Sequence, residues 1–273
     1  MTFLQSIILG IVQGITEFLP ISSSAHLVLV PFILGWQFPP DQTFVFDVLV
    51  QMGTLLAVII YFWKDLVGIV VAFLRGLFSG KPFAEEQSRL GWYLILATIP
   101  AGILGITIKD IVEAAFNSPS ITALFLLVTA AFLLVAERVG RRSRKLGEMK
   151  WIDALWIGLG QALSIFPGIS RSGSTISAGM TRHFDRTSAA RFSFLMMVPV
   201  MAAAGVLGVL DLLKMPSLGQ FLPVVLAGTL TSAVVGYLCI HWLLQFLNRR
   251  SLTAFAVYCL ALAGVVLFFV YVL

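Results

Sequence analysis

The stretch Gln13-Gly14-Ile15-Thr16-Glu17-Phe18-Leu19-Pro20-Ile21-Ser22-Ser23-Ser24-Ala25-His26 interrupts a long apolar run near the N-terminus. That run extends over residues 3–36, and the break holds Pro20 and three consecutive serines. Each arm is about 14–17 residues, roughly 21–25 Å as a helix at 1.5 Å per residue. This is too short to cross a hydrocarbon core of about 30 Å comfortably. Proline at the centre favours a helix–turn–helix. A second stretch, Phe166-Pro167-Gly168-Ile169-Ser170-Arg171-Ser172-Gly173-Ser174-Thr175, breaks the apolar run 152–190 in the same way. Both runs read as re-entrant helical hairpins.

Outward from these breaks, six apolar segments are long enough for full spans: about 44–63, 91–109, 119–137, 192–212, 221–246 and 252–272. The chain is 59% hydrophobic and only 11% charged, where a soluble domain carries about 25% charge. Lipid offers no partner for exposed backbone, so the spans must be helices, and they are too long and uniformly apolar for barrel strands. The expected fold is an all-α polytopic membrane protein with six transmembrane helices and two re-entrant hairpins. No small-residue cleavage site follows an apolar segment, so no cleaved signal peptide is expected. The net charge of +5 is no nucleic-acid signature, because the basic residues cluster between apolar runs. Loop 64–90 holds four of them, loop 138–150 six, and Arg249 and Arg250 form a pair, whereas the opposite loops offer only Lys109 and Lys214. The positive-inside rule places the first set in the cytoplasm and both termini outside. Cys239 and Cys259, inside apolar runs, read as small core residues.

The sequence repeats itself. A shift of 148 carries Gln13 to Gln161, Phe18 to Phe166, Ile21 to Ile169, Ser22 to Ser170 and Ser24 to Ser172. Further on the shift becomes 131, carrying Thr98 to Thr229, Gly105 to Gly236 and Thr122-Ala123 to Thr253-Ala254. Each half holds one hairpin and three spans. Three is odd, so the second half is inverted relative to the first. Residues 1–273 then form a single membrane domain of two inverted repeats, about 1–140 and 149–273. Such repeats place a ligand site at their interface near the midplane, and the hairpins would meet there tip to tip.

The tips carry the chemistry. Glu17 is a carboxylate in an apolar arm, costly unless functional, and suited to Mg²⁺ or Ca²⁺. Its plainer role is partner to an arginine. His26, neutral near pH 7, could take a proton from water or a serine, or could simply pack. Ser22, Ser23 and Ser24 precede a helical arm; they suit an N-cap, an anion site or a nucleophile. Arg171 stands between Ser170 and Ser172 with Gly168 and Gly173 nearby, a setting for gripping phosphate, and Ser174 and Thr175 add hydroxyls. His183 and His241, and Arg182, Arg186 and Arg191, read as interfacial. There is no Walker A loop, GxSxG elbow or zinc spacing, which removes support for an ATP-driven pump or a zinc protease.

The segment from Gln13 to His26 resembles the first motif of the undecaprenyl-diphosphate phosphatase family (BacA/UppP), and Pro167 to Thr175 resembles its second. Length, hairpins and spans match as well, so the resemblance covers the whole chain. It implies hydrolysis of undecaprenyl diphosphate to the monophosphate, a divalent cation (Mg²⁺ or Ca²⁺), a bacterial inner membrane and a site facing outward. Carried over by motif, Glu17 helps hold the metal, Ser23 and His26 take part in attack, and Arg171 binds diphosphate. Gln13, Ser22, Ser24, Ser170, Ser172, Gly173, Ser174 and Thr175 would surround the substrate. The family's first position is Glu or Gln, and Gln13 leaves the site one carboxylate short, with more resting on Glu17. Ala25 stands where relatives often have Gly. The expected partners are the polyprenyl diphosphate and membrane lipids, with no nucleic acid. A homodimer is compatible with the pattern, which specifies no contact. The rival class is a polyprenyl-phosphate flippase using the same repeat without chemistry; Glu17 with His26 argues for hydrolysis.

Overall fold

A computed structural model describes residues 1–108, 118–214 and 218–271, together with Val112 and Ala115. Lys109 lies outside the described residues. The chain is all-helical, with no strand among the described residues. The helices are α1 (Phe3–Thr16), α2 (Ser23–Ile33), α3 (Pro40–Tyr61), α4 (Trp63–Phe78), α5 (Glu86–Thr107), α6 (Pro119–Val139), α7 (Trp151–Leu163), α8 (Arg171–Thr181), α9 (Arg186–Lys214), α10 (Leu218–Arg249) and α11 (Thr253–Tyr271).

Five of these, α5, α6, α9, α10 and α11, are long and apolar enough to cross a membrane. A sixth candidate is the pair α3–α4, bent by 78° at Phe62. On α10, Leu230, Val234, Leu238 and Trp242 are all exposed at four-residue spacing. Water would penalise such a stripe; lipid does not. The broken arms α1, α2, α7 and α8 have 14, 11, 13 and 11 residues, somewhat shorter than the sequence suggests, because the turns take up residues 17–22 and 164–170. The segment 64–90, read from sequence as a loop, is largely helical. Helix α4 buries Ile69, Ala72 and Gly76 and packs on α5, while Val67, Val70, Val71 and Leu74 are exposed.

The two halves exchange partners. Helix α1 packs on α10, and α7 packs on α5. Both contacts are backbone-close. A Cβ at Gly10 would sit 2.5 Å from the Gly228 carbonyl oxygen, and one at Gly158 would sit 2.6 Å from the Ala97 carbonyl oxygen. A shift of 148 carries Gly10 to Gly158, and a shift of 131 carries Ala97 to Gly228. The same contact is therefore built twice. Gly158→Val is expected to lower the thermal midpoint in detergent, since overpacking costs about 1–3 kcal/mol. Gly102→Ala on α5, where nothing lies within 4 Å of the added carbon, is the control expected to leave it unchanged. Equal midpoints for wild type and Gly158→Val would show that α7 and α5 are not in this contact.

Charged residues close one end of the bundle. Asp153, fully buried at the start of α7, pairs with Arg144 at 2.6 Å and Arg182 at 2.7 Å. Glu137 at the end of α6 pairs with Arg186 at 2.6 Å and accepts the Leu252 N–H at 2.8 Å. Burial raises the Asp185 carboxyl, but the Lys145 ammonium and the Ser188 N–H and hydroxyl outweigh it and hold it below the ordinary carboxylate range. Its contribution is therefore present above the unfolded value and lost as pH falls through the lower folded one.

Candidate active site

Helix α1 ends at Glu17, and the chain turns through Pro20 to enter α2 at Ser22. Ser22 has φ of +71°, a conformation costly for a residue with a Cβ. It caps α2, its Oγ accepting the Ala25 N–H at 3.3 Å and sharing a hydrogen bond with Ser24 Oγ at 3.1 Å. Ser170 caps α8 in the same way, accepting the Gly173 N–H at 3.0 Å and meeting Ser172 Oγ at 3.1 Å. Gly168, at φ +98°, makes the second turn possible, and a Cβ there would lie 2.2 Å from the Thr122 carbonyl oxygen. Thr129 on α6 braces this turn: it donates to the Gly168 carbonyl at 2.8 Å and accepts the Ser170 N–H at 2.9 Å. The two tips touch directly, with Ser172 Oγ donating to the Leu19 carbonyl at 3.2 Å.

Between the tips lies a cavity of about 320 Å³. Glu17, Ser22, Ser23, Ser24 and Arg171 line it, with Gln51, Gln161 and Ser164. Ala101, Ile165, Ile169, Met197, Val200, Met201 and Ala204 complete the wall. Glu17 is the centre of the polar side. Arg171 Nη2 donates to its Oε1 at 2.6 Å, and Ser23 Oγ and Gln13 Nε2 donate to its Oε2 at 2.5 and 2.9 Å. Arg171 also donates from Nη1 to the Ser193 carbonyl at 3.2 Å, while its buried Nε has no partner. Accepting from Arg171 of the second tip, Glu17 holds both tips in register.

The other sequence candidates take supporting places. Ser170, Ser172, Ser174 and Thr175 are buried at the start of α8 and are not among the residues lining the cavity; nor is Gly173. Ser174 and Thr175 bond back to the Arg171 carbonyl, at 3.1 and 2.7 Å. His26 is also turned away. Its Nδ1 lies 2.7 Å from the Ser22 carbonyl and its Nε2 lies 2.8 Å from the Tyr258 hydroxyl. A carbonyl only accepts, so Nδ1 carries the proton and Nε2 accepts from Tyr258. Sequence reasoning did not single out Tyr258, Thr129 or Ser193. Each is a polar residue within a largely apolar helix, with no signal beyond that.

A divalent cation has limited protein support here. Among the described residues no group of three His, Cys, Asp or Glu side chains is placed to hold a metal, and Glu17 is the one carboxylate among the cavity-lining residues. The donor set fits a hard cation that keeps water and substrate oxygens beside one carboxylate, as Mg²⁺ usually does. Beside Glu17, the buried Gln13 Oε1 lacks a partner.

Comparison with known proteins identifies the family. The family described as bacitracin resistance protein BacA matches residues 6–265. The chain belongs to that family. BacA-family relatives named undecaprenyl-diphosphatase align along almost all of it. One from Moorella thermoacetica is 46% identical over 266 residues, 97% of this chain and 97% of its own. One from Thermomicrobium roseum is 43% identical, covering 96% of each chain. One from Myxococcus xanthus is 42% identical, covering 98% of this chain and 88% of its own. Together with its long apolar helices, BacA membership makes the chain a multi-pass membrane protein.

Proposed function

We propose that this chain hydrolyses undecaprenyl diphosphate to undecaprenyl phosphate and inorganic phosphate, with Glu17, Ser23 and Arg171 at the centre. The supporting observation is the arrangement Arg171–Glu17–Ser23 in one cavity: a cation for phosphate, a carboxylate to accept a proton, and a hydroxyl between the carboxylate and the reacting group. The apolar wall suits the first units of a polyprenyl chain. A carrier needs cationic grip alone, so the Ser23–Glu17 contact favours hydrolysis over a flippase without chemistry.

Arg171, through Nη groups and the free Nε, grips the terminal phosphoryl oxygens and stabilises the charge they carry. The Ser22 to Ser24 hydroxyls and the α2 N-terminus add donors. Water attacks the terminal phosphorus as the bond to the bridging oxygen breaks, and the electron pair leaves on undecaprenyl phosphate. Ser23 receives a water proton and passes its own to Glu17, along the 2.5 Å contact already made. His26 and Tyr258 hold the α2 arm in place. When bound, Mg²⁺ or Ca²⁺ would neutralise diphosphate charge, held by Glu17 with Gln13 beside it.

The proposed topology has six spans, α3, α5, α6, α9, α10 and α11, and two re-entrant hairpins, α1–α2 and α7–α8, in two inverted repeats. The twice-built glycine contact and the matched serine caps support it. The basic loops support a cytoplasmic placement for the Asp153 and Glu137 clusters, in a bacterial inner membrane with the cavity opening outward.

Phosphate release from undecaprenyl diphosphate by the detergent-purified chain tests the reading. Release is expected with Mg²⁺ or Ca²⁺ and is expected to fall to background with chelator. No release with either metal, from a protein shown to be folded, would transfer the weight to the flippase.

A further inference from the structure

Gln161 on α7 is 2% exposed and lines the cavity shared by Glu17 and Arg171. Its amide has one sensible orientation. Nε2 faces the Ala97 carbonyl at 3.4 Å, and turning the amide over would set two acceptors against each other. That leaves Oε1 buried without a hydrogen-bond partner. An unpaired buried acceptor is costly, and native proteins rarely tolerate one without a reason. Phosphate oxygens are acceptors too, so a diphosphate cannot supply the missing donor. Water can, and a neutral amide oxygen orients water without taking its proton.

We propose that the Gln161 side-chain carbonyl holds the water that attacks the terminal phosphorus. The inference rests on the phosphatase reading above. The amide accepts one hydrogen bond from the water, which turns a lone pair toward phosphorus. The other proton goes to Ser23 as Ser23 protonates Glu17. The new P–O bond forms from the water oxygen, the bond to the bridging oxygen breaks, and undecaprenyl phosphate leaves with the electron pair. The water's remaining hydrogen stays on the released phosphate. Gln161 thus touches a reacting atom and belongs to the catalytic set.

The test is steady-state phosphate release from undecaprenyl diphosphate by the full-length purified chain, with thermal unfolding measured in parallel. Gln161→Leu removes both the acceptor and the donor to Ala97. Gln161→Glu keeps an acceptor oxygen and loses the donor. The expected result for Gln161→Leu is a fall in kcat of about 100-fold with KM within about two-fold, at the scale one positioned group contributes. For Gln161→Glu, kcat should stay within about ten-fold of wild type. If Gln161→Leu does not fold, Gln161→Met, of similar volume, carries the same expectation. Wild-type kcat in the apolar variant would overturn the assignment. So would equal losses of kcat and thermal midpoint in both variants, which would mark the Ala97 bond as the residue's purpose. Wild-type protein that releases no phosphate defeats the phosphatase reading itself and takes this inference with it.

Discussion

Arg171→Ala should reduce phosphate release from undecaprenyl diphosphate by about three orders of magnitude, the scale on which a transition-state arginine contributes. Two losses combine. The phosphoryl group loses its cation, and Glu17 loses the partner 2.6 Å away that fixes its carboxylate between the tips. Glu17 is only 4% exposed, so without its arginine the carboxylate sits poorly solvated with nothing to orient it between the tips. Breaking a buried pair also costs about 3–5 kcal/mol of stability, so activity must be compared at a temperature where both proteins elute as folded species. Arg171→Lys should fall between the two, since an ammonium keeps the charge and loses the planar fork. Turnover by Arg171→Ala within about ten-fold of wild type would remove Arg171 from the site.

A comparable loss of stability is expected at the other end of the bundle. Asp153 is fully buried and accepts from Arg144, Arg182 and the Lys150 N–H, the last at 3.0 Å. The two arginines come from separate segments, one before α7 and one after α8. Asp153 thereby ties both ends of the second hairpin to the same point. Asp153→Ala leaves two cations facing one another and should lower stability by about 3–5 kcal/mol. Asp153→Asn, which keeps an acceptor for Lys150, should lose less. Chemical or thermal unfolding in detergent measures both. The cavity lies at the opposite end of α7 and α8, so phosphate release per folded molecule should stay within about two-fold of wild type. Unchanged unfolding in Asp153→Ala would show that the cluster is not formed.

Much of this was legible along the chain, because the membrane imposes lengths. Runs of about 20 apolar residues can be little other than spanning helices; five of the six sequence-expected spans fall on helices long and apolar enough to cross, and the sixth, 44–63, falls on the bent pair α3–α4. Two runs broken by Pro20 and Pro167-Gly168 are broken in the structure too. The 148-residue shift paired Ser22 with Ser170 before any contact was known, and their caps are made with the same hydrogen bonds. Helix α4 was missed, since it is amphipathic and carries Lys64, Asp65 and Arg75 within an otherwise apolar stretch. A search for uniformly apolar spans passes over such a helix.

Composition, run length and the two serine-rich breaks thus determined by themselves that the chain is helical, membrane-embedded and equipped with one anionic and one cationic residue at paired turns. These are properties of local sequence, set by backbone satisfaction in lipid and by proline geometry. Which individual atoms meet was decided only by tertiary structure. Glu17 and Arg171, 154 positions apart, meet because the repeat brings the two tips together, whereas His26 and Tyr258, 232 apart, meet with no such signal in the sequence. Ser23 meets Glu17 at the turn between α1 and α2, and His26 meets Tyr258 on α11 across the packed halves. The Gln161 carbonyl lacks a partner, while its amide nitrogen is already committed to Ala97 on a helix from the other half.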